Sequence, residues 1–252
     1  MSSFAESSET TTHNRYLDGS YAEGNPEWHQ GDSAWKAERI FEIIGRNGLK
    51  FSTVCDLGCG AGEVLACLQR KLGIDVACVG YEPSPQAFSI AQAKAATQLS
   101  FFNKSFPEKK THFDVILLVD VIEHLDDYIG YLRNIYPHAD YFILHIPLDL
   151  SVLSVLRDWP IMKRRRGVGH LHYFTKSTAL ASLEDLGFTI LDYFYTEIRR
   201  PAEENFKTTL LRRFPLSCFF ALGLRDLGIR IFGEHSLMVL AQSPKAKRDD
   251  LR

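Results

Sequence analysis

Two carboxylates lie at the ends of two β-type runs of this chain, and a glycine-spaced turn lies between them. Asp56 stands next to last in "STVCDL" and Glu82 closes "VACVGYE", with Gly58-x-Gly60-x-Gly62 following Leu57. Turns of this kind, between a strand and a helix, hold nucleotides. The dinucleotide fingerprint is G-x-G-x-x-G, so here the third glycine stands one place early. The aspartate discriminates better than the glycines. A carboxylate about 5 Å from a pyrophosphate charge costs roughly 3 kcal/mol at an effective dielectric near 20, which is about a hundredfold in affinity. The same carboxylate favours a ligand that carries an ammonium group. Glu82 stands 20 positions after Gly62, where an acidic side chain can accept from both hydroxyls of a ribose. A ribose, no phosphate and a cationic amine together describe S-adenosylmethionine. A nicotinamide oxidoreductase and a non-catalytic nucleotide binder are the alternatives. Asp56 and the early third glycine oppose the first, and the intact Asp56–Glu82 pair opposes the second.

Displacement at a sulfonium methyl has a good leaving group. Alignment then supplies much of the rate, and a general base is needed only where the acceptor must lose a proton. "VDVIEHLDD" (119–127) offers Asp120, Glu123 and His124. His124 is the base candidate by intrinsic pKa, with Glu123 beside it; the plain alternative is that both orient the next helix. His145, in "LHIPLD", is a third catalytic candidate that faces either the pocket or the helix layer. In "GVGHLHYFT" (167–175), His170 and His172 are two apart and share a side if the segment is extended. Either one hydrogen-bonds the substrate, or the pair closes the loop on the following helix. A metal reading needs a third convergent ligand, which the sequence does not show, so no metal is expected. Arg164 and Arg165, in the basic cluster "MKRRRGVGH", are a solvated surface or a site for an anionic acceptor.

The elements that must position these groups alternate. Apolar spacing predicts helices over 36–48, 61–73, 84–98, 127–137 and 175–187. Strand-like runs fall at 52–57, 76–82, 99–103, 113–119, 141–147, 188–197 and 235–242. Strands joined through helices of this length make right-handed crossovers and a parallel sheet. The expected fold class is α/β: a Rossmann-like, doubly wound seven-stranded sheet with ligands at the C-terminal strand ends.

Length and charge bound the rest. The 252 residues, 45% hydrophobic, suit one domain, and a net charge of −2 provides no basic field for nucleic acid. Cys55, Cys59, Cys67, Cys78 and Cys218 are odd in number, and most lie in apolar runs. They read as small buried side chains in a reducing cytoplasm rather than a disulfide framework. Residues 1–15 read as a polar, disordered lead-in with no apolar stretch of signal-peptide type, and 244–252 as a polar tail.

"CDLGCGAG", "GYEPS" and "FDVILLVDVIEHL" resemble the motifs of class I S-adenosylmethionine-dependent methyltransferases, a likeness that covers roughly 36–200. "NPEWHQGDSAWKAERI", "GHLHYFT" and "IFGEHSLMVLA" are similar to a subgroup often found beside sugar and cell-envelope genes. The resemblance implies one antiparallel strand, the last, at the sheet edge. It places Asp56, Gly58 and Gly60, with Cys59 and Gly62, around the methionine part of the cofactor. It places Glu82 and Pro83 at the ribose, Asn103 near the adenine, and Asp120 and Val121 close by. It implies methyl transfer, with oxygen the expected target, to a small-molecule or glycan- or lipid-linked acceptor. Residues 16–35, rich in aromatic side chains, are expected to form a flap over the cofactor. The 199–233 insertion, and within it 205–233, is expected to be a lid, a homodimer surface or a peripheral membrane contact. The single catalytic domain then runs from 16 to 243.

Overall fold

The computed structural model describes residues 30–106, 111–197 and 216–244. The lead-in, most of the 16–35 flap, residues 199–215 of the insertion and the tail from 245 lie outside the described residues. Seven strands form one sheet: β1 Thr53–Leu57, β2 Ala77–Tyr81, β3 Leu99–Phe102, β4 Phe113–Val119, β5 Ala139–Pro147, β6 Thr189–Glu197 and β7 His235–Gln242. Their spatial order is β3-β2-β1-β4-β5-β7-β6. The first five run parallel.

β7 runs antiparallel to both β5 and β6, between which it lies. The expected antiparallel strand is present, but it is interior, and β6 is the edge. Burial explains the order. β7 is covered along all but its last residue, as a central strand must be, whereas β6 alternates with Leu191 and Tyr193 exposed.

Eight described helices carry the connections: α1 Ser33–Arg46, α2 Glu63–Leu72, α3 Pro85–Gln92, α4 Tyr128–Ile135, α5 Val152–Arg157, α6 Trp159–Gly167, α7 Lys176–Glu184 and α8 Arg225–Phe232. Residues 216–221 are also helical. The two faces of the sheet bury separate cores because successive strand residues point to opposite sides. Val54, Val115, Leu117 and Ile143 pack under α1 and α2 with Ile40, Ile43, Leu65 and Leu68. Cys55, Leu57, Ile116, Leu118 and Phe142 pack under α4 and α7 with Leu132, Ile135 and Leu183. Four of the cysteines are buried in these layers, and none is bonded to another.

Three boundaries differ from the sequence reading. α1 starts at Ser33 rather than 36, which puts Trp35 and Lys36 in its first turn. α3 stops at Gln92 rather than 98; the last residues of the apolar run reverse the chain through the Ala96–Leu99 bridge into β3. The basic cluster at 162–167 is the second half of α6, whose Arg164, Arg165 and Arg166 lie in its last turn and there complement the helix dipole.

Candidate functional site

The C-terminal ends of β1, β2 and β4 bring the nucleotide-type residues together. Backbone amides of Gly58 and Cys59 both donate to the carbonyl of Tyr81, at 2.9 and 3.1 Å, and tie the turn after β1 to the end of β2. The turn glycines have distinct jobs. Gly60 has φ +54° and nothing within 4 Å of where a Cβ would stand, so its backbone faces open space. Gly62, at φ +76°, would put a Cβ 2.7 Å from Phe101 and 3.0 Å from Ala91, so it is a packing glycine. Cys59 is buried with its sulfur 2.8 Å from the Cβ position of Gly80, a site for a small side chain. Val121 closes on Gly58 from the β4 side, 3.0 Å from its Cβ position.

Glu82 is buried and spans this turn. Oε2 accepts from the amide of Gly60 and Oε1 from the amide of Ser84, both at 2.8 Å. Burial pushes its pKa up, and the amides of Ser84 and Gly60 pull against that rise. A carboxylate has about four acceptor sites, so two remain for a ligand's hydroxyls. Asn103 is exposed and donates through Nδ2 to the carbonyls of Glu82 at 2.8 Å and Pro83 at 3.0 Å. It fixes the segment that carries Glu82, and its donors are spent there.

Asp56 is the unsatisfied group at the end of β1. It is buried, and its Oδ1 has no hydrogen-bond partner. Burial, and secondly the nearby Glu82, raise its pKa to about 8. An unpaired buried carboxyl is costly, and a cationic ligand group would relieve it. The orphaned oxygen, the open space at Gly60 and the spare acceptor sites of Glu82 fit an ammonium-bearing nucleoside.

A second network closes the end of β4. Asp120 has φ +54°, a left-handed backbone that few non-glycine residues adopt. Its Oδ1 lies 2.5 Å from Nδ1 of His145, and its Oδ2 lies 2.8 Å from Nζ of Lys36. Nε2 of His145 lies 2.9 Å from Oγ1 of Thr196. Both ring nitrogens of His145 are therefore engaged, and in this arrangement it orients Asp120. Burial alone would raise the Asp120 pKa, but Lys36 and then His145 overcome it and hold the carboxyl well below its usual range. Lys36 also reaches Asp32 at 3.0 Å.

Lys36 was not singled out in the sequence. The signal was there: a cation in the first turn of a helix opposes the macrodipole and so asks for a compensating partner.

Past Asp120, a single 3₁₀ turn at Ile122–His124 presents Glu123 and His124. Glu123 is completely buried, and neither carboxylate oxygen has a hydrogen-bond partner. Burial first, then the charge of Asp120, raise its pKa well above the usual range. The Glu123 carbonyl accepts from the amides of Leu171 at 2.7 Å and His172 at 3.1 Å, so the histidine loop is docked on this turn. His170 and His172 diverge there. His170 is buried with Nδ1 2.5 Å from Asp149 Oδ2, and its ring meets that of His124 at 4.9 Å. His172 places Nε2 2.8 Å from the carbonyl of Leu125 and packs on Tyr128. Nδ1 of His124 lies 3.2 Å from the carbonyl of Gly169.

The third convergent group that local spacing did not show is present in the fold. Glu123 supplies the third convergent group, and it joins His170 with His124 rather than with His172. Contact across 45 residues brings them together, which local spacing cannot reveal. Arg164 stands behind this cluster, its Nε 3.5 Å from Asp149 Oδ1, while Arg165 is exposed.

The chain matches the family model described as "Methyltransferase domain" over residues 28–193. It is similar to ajmaline N-methyltransferase of Rauvolfia serpentina, with 34% identity over 109 residues that make up 38% of this chain and 37% of that protein. The chain thus matches little more than a third of that relative's length. Magnesium protoporphyrin IX methyltransferase of Synechocystis PCC 6803, solved with S-adenosylhomocysteine bound, superposes with a TM-score of 0.55 at 18% identity over 83% of each chain. A chain from the complex between the Trm112 methyltransferase activator of Haloferax volcanii and a methyltransferase superposes with a TM-score of 0.62 at 17% identity, over 93% of this chain and 98% of that one. These likenesses establish the fold.

Proposed function

The chain belongs to the methyltransferase-domain family, and from that premise we propose that it transfers the methyl group of S-adenosylmethionine to an oxygen of a small-molecule, glycan- or lipid-linked acceptor. The observation that carries the reading is the pair formed by Asp56, with its orphaned buried oxygen, and Glu82, braced by Gly60 and Ser84. S-adenosylmethionine supplies, when bound, an electrophilic methyl on a sulfonium. Asp56 takes the ligand's ammonium, and Glu82 takes its ribose hydroxyls. Asp120, fixed by Lys36 and His145, keeps the end of β4 rigid beside Gly58 and Val121. Family membership leaves the oxidoreductase alternative without support.

Oxygen is proposed as the target because a hydroxyl must lose a proton on transfer. His124, partly exposed at the turn after β4, is the base we assign to take it. Incubation with a labelled methyl donor and a panel of hydroxyl, carboxyl and amine acceptors tests this. Label found only on nitrogen would overturn the choice of oxygen.

One observation favours a surface-bound acceptor. Val155 (59% exposed), Leu156 (77%) and Trp159 (56%) project from α5 and α6, and Leu222 and Leu227 from the adjoining end of the insertion. Beside them, an open recess of about 460 Å³ is lined by Arg157, Asp158, Trp159, Met162, Lys163 and Arg166. Apolar side chains among cations suit an anionic membrane surface. No described helix is long and apolar enough to cross a membrane. Co-sedimentation with vesicles of anionic lipid, and none with neutral lipid, is expected, with Trp159→Glu abolishing it. Absence of sedimentation in both would remove the surface-bound reading.

A further inference from the structure

Glu123, like Asp56, is a buried carboxyl with oxygen left without a hydrogen-bond partner. Its neighbours Asp120 and Asp149 are carboxylates too, and each of those already has cationic or imidazole partners: Lys36 and His145 for Asp120, Arg164 and His170 for Asp149. Glu123 is fully buried, and both its oxygens are without a hydrogen bond. A carboxyl in such a place stays protonated unless a cation compensates its ionised form.

Two imidazoles face it. One ligand atom from each of Glu123, His124 and His170 lies within 4.8 Å of the others. Both rings are oriented from behind. Asp149 holds Nδ1 of His170 at 2.5 Å, and the carbonyl of Gly169 lies 3.2 Å from Nδ1 of His124. Nε2 of His124 lies 4.0 Å from Oε1 of Glu123. Carboxylate and carbonyl groups behind ligating histidines are the usual way a metal site fixes tautomer and ring orientation.

We propose that Glu123, His124 and His170 bind one divalent transition-metal ion. Two nitrogens and one carboxylate suit zinc, manganese or iron rather than magnesium or calcium, which take oxygen ligands. Ligands about 2.1 Å from a tetrahedral ion stand roughly 3.4 Å apart, so an ion would draw this triad inward by about an ångström. Three protein ligands leave positions for water or an acceptor atom. If the methyl-transfer reading holds, the ion when bound would take over the part given to His124 in the metal-free chain: a hydroxyl bound there would lose its proton to solvent more readily. The binding itself does not rest on that reading.

The test uses tag-free, full-length protein stripped with EDTA and titrated with Zn²⁺ and with Mn²⁺. Calorimetry and elemental analysis after gel filtration are expected to show one ion per chain. Glu123→Gln and His170→Gln should each abolish that stoichiometric binding, and Asp149→Asn should weaken it about 10–100-fold. Binding by wild type no tighter than by Glu123→Gln would overturn the proposal. Should a variant fail to fold, Co²⁺ added to the wild type alone decides: visible d–d bands saturating at one equivalent support the site, and their absence overturns it. Cofactor binding is measured separately, so loss of one reading leaves the other standing.

Discussion

Nδ1 of His145 lies 2.5 Å from Oδ1 of Asp120, and Asp120 makes this contact from a left-handed backbone at φ +54°. The opposite carboxylate oxygen receives Lys36 from α1. One side chain thus joins the ends of β4 and β5 to the first turn of α1.

Lys36→Met should therefore cost about 2 kcal/mol at pH 7, the worth of a hydrogen bond to a charged group. The Asp120 pKa is depressed in the folded chain. Its contribution is present above the ordinary carboxylate range and is lost as pH falls through the lower folded value. The gap between wild type and Lys36→Met should then narrow at pH 3. Denaturant unfolding at both values checks this, and an equal gap at both would count against the pairing.

Asp56 has the opposite sign. With its pKa raised to about 8, the folded chain without ligand binds a proton that the unfolded chain releases near pH 4. Its contribution to stability is full below pH 4 and is lost as pH rises through 8. Binding an ammonium requires that proton to leave. Affinity for S-adenosylmethionine should strengthen between pH 5.5 and 7.5, by up to about tenfold per unit. Asp56→Asn should flatten that slope and leave the chain more stable at pH 9. Calorimetry in buffers of different ionisation enthalpy would show the released proton, and a slope unchanged in Asp56→Asn would contradict the assignment.

Gly60→Ala and Gly62→Ala separate ligand contact from packing. Alanine at 60 meets nothing and carries only the left-handed strain, about 1–2 kcal/mol. It should fold yet lose cofactor affinity. Alanine at 62 drives a methyl into Phe101 and Ala91, which adds about 1–3 kcal/mol of overpacking to the same strain. Thermal melts and cofactor titrations on both variants check the contrast.

The meeting of Asp56, the glycines and Glu82 is legible in the sequence because it is local. Asp56, the glycines and Glu82 sit at strand ends, where alternation of β and α runs fixes their place on one edge of the sheet. The rest depends on contacts across long stretches of chain. Thr196 reaches His145 over 51 residues, and Asp149 reaches His170 over 21. The interior place of β7 is likewise set by which strand covers β5, although its unbroken apolar run carried the hint. Asn103 spends its Nδ2 donors on the Glu82 and Pro83 carbonyls, which leaves its Oδ1 as the atom that could accept from an adenine amino group. Residue type alone does not say which way an amide turns.

The central claim is that the Asp56–Glu82 pair holds an aminoacyl nucleoside. Calorimetry of the full chain with S-adenosylmethionine, S-adenosylhomocysteine and NAD tests it most directly. The account predicts one site per chain for the first two, none for NAD, and loss of binding in Glu82→Ala. Binding of NAD, or no binding of either sulfur nucleoside, would contradict it.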